Sequence, residues 1–235
     1  MSAPGKSIFI TGTDTSIGKT EVSCAIAAAL CTRGVDVGVY KPAETGCEDG
    51  PEGLVGEDCV RLAAAAGRRQ KPSEVASYLY RMPAAPLVAA EADGSKVDPG
   101  VLIDDCRRVT GEHELTIIEG AGGLLVPIAE NFTFTDLAVW LDIPVVCVVG
   151  SRLGCISHAL LTFEALRFRA IRTLGFITNT LNPGKDARAE ADLNRSTISR
   201  FTPVTDLGVL PFITKDDRDN AGRYAEEGLH LDALL

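Results

Sequence analysis

Short apolar runs alternate along this chain with longer stretches in which apolar residues recur every three or four positions. Runs at 8–11, 35–40, 115–119, 145–149, 173–178 and 206–210 are rich in Val, Ile, Leu and Phe, which predicts buried strands. Helices are predicted over 19–33, 56–66, 97–110, 134–141, 155–169 and 186–199, with a terminal one near 219–227. In the first of these, Val22, Ile26, Ala29 and Leu30 fall on one helical face. Strands that alternate with helices predict an α/β fold: a three-layer, doubly wound, mostly parallel sheet with helices on both faces. At 235 residues, one domain is expected over 1–235. Ligands in such sheets collect beyond the carboxyl ends of the strands, where the winding reverses.

That rule gives three turns their meaning. The first, Gly12-Thr13-Asp14-Thr15-Ser16-Ile17-Gly18-Lys19-Thr20, joins the first strand to the first helix. It has what a phosphate-cradling loop needs: inward N–H groups, a helix N-terminus, a lysine for the outer phosphates and a hydroxyl for magnesium. Its first glycine stands one place earlier than the usual pattern puts it, so the loop is a residue longer between glycines. In the second turn, Lys41-Pro42-Ala43-Glu44-Thr45-Gly46, Lys41 would set a second cation across from Lys19 to bracket a transferring phosphoryl group. In the third, Glu119-Gly120-Ala121-Gly122-Gly123, a strand-end carboxylate would bind magnesium, directly or through water. Asp58, at a helix start, is explained by complementarity to the helix dipole alone. Asn179 reads equally as a reader of an adenine edge or as turn chemistry. Residues 46–56 read as a flexible loop able to act as a lid, and 83–86 as an irregular connection.

Composition narrows the choice of partner. Aromatic residues make up only 6% of the chain, which suits a parallel sheet of aliphatic side chains. With 23 basic and 32 acidic residues the formal charge is −9, which argues against nucleic acid or an anionic membrane as a partner. Positive potential for a polyphosphate must then come locally, from Lys19, Lys41, loop dipoles and Mg²⁺. The seven cysteines include no Cys-x-x-Cys pair, and His113, His158 and His230 lack metal-ligand spacing. With no signal-peptide pattern and no long apolar run, a cytoplasmic location is expected. The residues alone lead as far as magnesium-dependent phosphoryl transfer from a nucleoside triphosphate, without naming the acceptor.

Gly12–Thr20, Lys41-Pro42 with Thr45-Gly46, Glu119-Gly120-Ala121-Gly122-Gly123-Leu124 and Leu153-Gly154-Cys155-Ile156-Ser157-His158-Ala159 together resemble the dethiobiotin synthetase family. Phe132-Thr133-Phe134-Thr135-Asp136, Asn179 with Asn182-Pro183-Gly184-Lys185, and Gly208-Val209-Leu210-Pro211 extend the resemblance over nearly the whole chain. It implies an ATP- and Mg²⁺-dependent ring closure of 7,8-diaminononanoate with CO2, in the pathway to biotin. It also implies a homodimer with the substrate at its interface. Lys41, Lys19 and Thr15 would then be catalytic, and Thr20, Asp58 and Glu119 would hold magnesium. ATP would meet Asp14, Ser16, Ile17, Gly18, Lys19, Thr20, Glu21, Asp58, Glu119, Gly120, Ala121, Gly122, Asn179, Thr180, Val209, Leu210 and Pro211. The substrate would meet Thr15, Ser16, Lys41, Thr45, Gly122, Gly154, Cys155 and Ser157, the last three as a helix N-terminus that receives its carboxylate. The rival class, nucleotide-switched partition ATPases, carries a signature lysine early in the loop; here that stretch is Thr13-Asp14-Thr15.

Overall fold

A computed structural model of the chain describes residues 5–51 and 53–235. Its elements run β1 (Lys6–Gly12), α1 (Lys19–Thr32), β2 (Val37–Thr45), β3 (Glu48–Gly50), β4 (Gly53–Val55), α2 (Glu57–Ala65), α3 (Pro72–Val75) and β5 (Ala76–Tyr80). They continue with α4 (Pro86–Ala92), α5 (Pro99–Glu112), β6 (Leu115–Glu119), β7 (Pro127–Ala129), β8 (Phe132–Thr133), α6 (Phe134–Leu141) and β9 (Val145–Ser151). The last are α7 (Cys155–Phe168), β10 (Thr173–Thr180), α8 (Ala187–Ser199), β11 (Asp206–Leu210), a 3₁₀ turn (Lys215–Asn220), α9 (Ala221–Gly228) and a second 3₁₀ turn (Leu231–Leu234).

Seven strands form one sheet in the order β11-β10-β9-β1-β6-β2-β5, and every neighbouring pair is parallel. Strands β2, β5 and β6 lie on one side of β1, and β9, β10 and β11 on the other. The winding therefore reverses beside β1, and the Gly12–Thr20 loop leaves the sheet at that reversal. Alternation along each strand feeds two apolar layers. Ile8, Ile10, Leu115, Ile117, Val146 and Val148 join the layer under α1, α2 and α9. Phe9, Ile118, Val145, Cys147 and Val149 join the opposite layer, under α5, α6 and α7. The expected three-layer, doubly wound fold is the one observed.

The structure corrects several boundaries. The strand expected to end at residue 40 continues as β2 to Thr45, so Lys41, Glu44 and Thr45 belong to a strand rather than a turn. β2 pairs with β6 only through Tyr40, and beyond it with β5, a strand not anticipated from the short, Tyr- and Ser-containing run 76–80. Pro42 is tolerated because β5 is the one neighbour left at that point, so a missing N–H breaks no ladder on the β6 side. Within the supposed flexible stretch 46–56 lies the small antiparallel hairpin of β3 and β4. The irregular connection at 83–86 leads into α4, which Pro86 opens at the helix start. Asn179 and Thr180, expected beyond the strand, lie inside β10.

Candidate active site

Beyond the carboxyl ends of β1, β2 and β6 is a cavity of about 670 Å³. Thr15, Ser16, Gly18, Lys19, Thr20 and Glu21 form one wall, and Lys41, Glu44, Thr45, Asp58 and Arg61 another. Pro83–Pro86, Ala121, Gly122 and Val126 complete it. Two residues of the loop, Ser16 (φ 56°) and Gly18 (φ 83°), are left-handed, a turn of the backbone that aims successive N–H groups toward a common point. Gly18 is also the N-cap of α1, and no side chain caps that helix, so its first-turn N–H groups stay open to an anion. A side chain at residue 18 would collide with Asn179, whose Nδ2 donates to the Ile17 carbonyl at 2.9 Å. That bond braces the loop from β10, and it engages one of the two amide hydrogens that an adenine edge would otherwise use.

Lys41 is the centre of the charge arrangement. It is 4% exposed, and its Nζ donates to Asp58 Oδ2 and to Glu119 Oε1, each at 2.6 Å. Thr20 Oγ1 donates to the same Glu119 oxygen at 2.8 Å. The other oxygen, Glu119 Oε2, is buried and has no hydrogen-bond partner among the described residues. Burial alone would lower the Lys41 ammonium, but Glu119 and Asp58 outweigh it and raise its pKa above the ordinary lysine value. For Asp58, burial works to raise the carboxyl, and the Lys41 ammonium prevails, holding it below the usual carboxylate range.

Lys19 stands in the opposite situation. Burial and the nearby Lys41 charge lower it to about 8, although Glu119 and Asp58 pull the other way. Its Nζ donates to the Asp14 carbonyl at 2.9 Å. Asp14 itself turns its carboxylate to the Thr15 N–H at 2.7 Å and to Arg152. The loop thus holds a lysine whose charge burial disfavours and a phosphate would stabilise.

Other expected site residues lie apart from this cavity. Val209 and Leu210 are buried in β11 and Pro211 is half-buried just after it. Gly154, in the left-handed region, is the N-cap of α7; it and Ser157 are exposed, Cys155 is buried, and no side chain caps the helix. Gly120 is buried behind the cavity, its N–H donating to the Ile10 carbonyl at 3.0 Å.

Some contributors carried no usable signal. Glu44, read as part of a turn, is 6% exposed and accepts from the Asp58 and Cys59 N–H groups at 2.8 and 2.9 Å, capping α2 from a neighbouring strand. A Cβ at Gly56 would enter this carboxylate, so glycine is required there by close approach. Arg61 reaches Glu21 at 2.7 Å and Arg218 reaches the same carboxylate at 3.1 Å, joining three segments far apart in sequence.

A family model described as an AAA domain matches residues 6–219. The chain is 37% identical over 226 residues to the ATP-dependent dethiobiotin synthetase BioD of Aliivibrio fischeri, covering 96% of this chain and 97% of that one. To BioD 1 of Escherichia coli strain K12 it is 32% identical over 220 residues, covering 93% and 96%. Among solved structures, the MinC:MinD cell division protein complex of Aquifex aeolicus matches with a TM-score of 0.59 at 16% identity, over 94% of this chain and 86% of that one. MinD of Pyrococcus horikoshii, complexed with Mg-ADP, matches with a TM-score of 0.55 at 18% identity, over 94% and 86%. At such low identity these structures speak for the fold alone, whereas the synthetases match in sequence from end to end. The chain belongs to the ATP-dependent dethiobiotin synthetase family.

Proposed function

We propose that this chain closes the ring of dethiobiotin from 7,8-diaminononanoate and CO2, converting ATP to ADP and phosphate. The observation that carries the reading is Lys41, buried and held by Asp58 and Glu119 in the same cavity as the phosphate loop. A lysine so placed can meet an anion that a second ligand brings up to the nucleotide. One amine of the diamine adds to CO2 and loses a proton, giving a carbamate. A carbamate oxygen attacks the γ-phosphorus and ADP leaves, forming a carbamic-phosphoric anhydride. The other amine attacks the activated carbonyl carbon and phosphate departs with the C–O bond electrons.

Lys41 and Lys19 hold the carbamate and γ-phosphate together and spread the charge that develops between them. The open N–H groups of Gly18–Thr20 and the α1 dipole hold the bridging oxygens in place. Thr15, Thr45 and Gly122, on the cavity wall, would face the carbamate, and Asn179 with 209–211, which lie outside that wall, would frame the base.

Thr20 Oγ1, Asp58 and Glu119 offer hard oxygens, and the buried, unpartnered Glu119 Oε2 needs a cation, so this donor set fits Mg²⁺. Among the described residues no group of three or more His, Cys, Asp or Glu is arranged as a metal cage, which suits an ion that takes most of its ligands from phosphate and water. When bound there, Mg²⁺ would neutralise charge on the phosphate oxygens. We also infer that the chain works as a single domain within a homodimer, in which the uncapped N-terminus of α7 receives the substrate carboxylate of the partner. Leu153, 100% exposed, stands just before that end and Leu161, 66% exposed, lies midway along α7, giving apolar surface available for such a contact.

Purified protein supplied with ATP, Mg²⁺, bicarbonate and 7,8-diaminononanoate is expected to form dethiobiotin and ADP in equal amounts. Absence of dethiobiotin by mass spectrometry, with nucleotide binding intact, would refute the reading.

A further inference from the structure

Glu21 opens an unexpected question: a carboxylate in the first turn of the phosphate-loop helix faces the place an anion should occupy. Its oxygens are shared by two guanidinium groups, Arg61 of α2 at 2.7 Å and Arg218 of the 3₁₀ turn after β11 at 3.1 Å. Arg218 also lies 3.9 Å from Glu57, so the cluster gathers two guanidinium groups and two carboxylates at the cavity in an acidic protein. Arg61 lines that cavity, one helical turn beyond Asp58 and on the same face of α2. Arg218 Nε is buried and has no hydrogen-bond partner among the described residues, so this guanidinium has donor capacity that Glu21 does not use. Lys41 is already engaged by two carboxylates, and Lys19 by a carbonyl. Of the cations on the cavity wall, Arg61 is the one whose planar fork is presented without a bidentate carboxylate closing it.

The geometry points to Arg61 as a nucleotide-phosphate ligand, with Glu21 as the positioning residue that holds its guanidinium at the cavity wall and ties it through Arg218 to the segment after β11. The inference rests on the cavity being the ATP site of the proposed reaction, and it assigns that site a cation that the sequence motifs do not contain. A guanidinium is suited to the task because it binds phosphate oxygens in pairs and keeps its charge at any working pH.

Calorimetric titration with ATP, ADP and adenosine, each with Mg²⁺, separates the possibilities. For Arg61→Gln, ATP and ADP are expected to bind at least about tenfold more weakly, as the loss of a charged hydrogen bond dictates, while adenosine stays within about twofold. Arg61→Lys should recover part of the loss, and Glu21→Gln should weaken ATP without affecting adenosine. ATP binding within about twofold of wild type in Arg61→Gln, or an equal loss for adenosine, overturns the phosphate role. Tighter ATP binding by Glu21→Gln overturns the positioning role and marks Glu21 as merely repulsive. Dethiobiotin formation is read in parallel: a wild type that binds ATP but makes no product refutes the synthetase reading, whereas an active enzyme indifferent to Arg61→Gln refutes this one.

Discussion

Lys19→Met is expected to stabilise the free protein while abolishing tight ATP binding. Burial takes the Lys19 ammonium from its ordinary 10.5 to about 8. At ~1.4 kcal/mol per pH unit, that drop is a penalty of about 3 kcal/mol in the folded, ligand-free protein near pH 7. Methionine fills similar space without the charge and forfeits the bond to the Asp14 carbonyl, worth about 1 kcal/mol, so the expected gain is about 2 kcal/mol. The pH dependence identifies the cause. Between about 8 and 10.5 the unfolded chain still holds the Lys19 proton and the folded chain does not, so this residue makes wild-type stability rise with pH across that window. The advantage of the variant should therefore shrink by about 2 to 3 kcal/mol from pH 7 to pH 10.

Buried thiols at Cys24, Cys59, Cys106 and Cys147, all raised by burial, drive stability the other way above pH 9. Cys24, Cys59 and Cys106 are common to both proteins and cancel in the difference; Cys147, whose thiol the Lys19 charge pulls down against burial, does so only in part. Urea unfolding of wild type and variant at pH 7, 8, 9 and 10, without nucleotide, supplies the comparison. A variant less stable than wild type at pH 7, or an advantage that does not change with pH, would refute the reasoning. With saturating ATP the order should invert, because only wild type gains the ligand's contribution.

Lys41→Ala should slow dethiobiotin formation by orders of magnitude while ATP affinity changes only a few-fold. It should also cost about 3–5 kcal/mol of stability by leaving Asp58 and Glu119 together without their buried cation, a loss of roughly 10 °C in Tm on differential scanning calorimetry; an unchanged turnover rate would remove the catalytic role. Leu153→Asp with Leu161→Asp, both exposed and without a structural role within one copy, should leave Tm within a few degrees, halve the sedimenting mass and raise the KM for the diamine rather than for ATP. An undisturbed dimer would move the interface away from the start of α7.

The central strands were legible because each is a continuous aliphatic run, the pattern that burial on both faces imposes. β5 escaped because Ala76–Tyr80 lies at the sheet edge, with four of its five residues half-buried, and so needs no such run. Its absence misplaced the end of β2, since Lys41–Thr45 has the polar look of a turn until β5 supplies the ladder that keeps it extended. The same cause hid Glu44. A carboxylate capping a helix fourteen residues onward leaves no local spacing to read, unlike Thr133 and Asp136, whose reciprocal bonds at the start of α6 follow the capping-box interval.

Site residues divide along the same line. Gly12–Thr20 was readable because an anion bound by consecutive backbone N–H groups requires a contiguous loop, and contiguity survives in a sequence. Asp58 was not readable from its own position, which the helix dipole explains; the family resemblance alone named it, and the fold brings it to 2.6 Å from Lys41. Arg61 and Arg218, which meet at Glu21, illustrate the extreme case. Each is an unremarkable surface charge in its own segment, and their meeting depends on α1, α2 and the end of β11 converging where the winding reverses. Charge placed by topology in this way is invisible to motif and composition alike. A sequence with net charge −9 can therefore bring three cations, Lys19, Lys41 and Arg61, to the wall of one cavity, and only the first two stand in a readable turn.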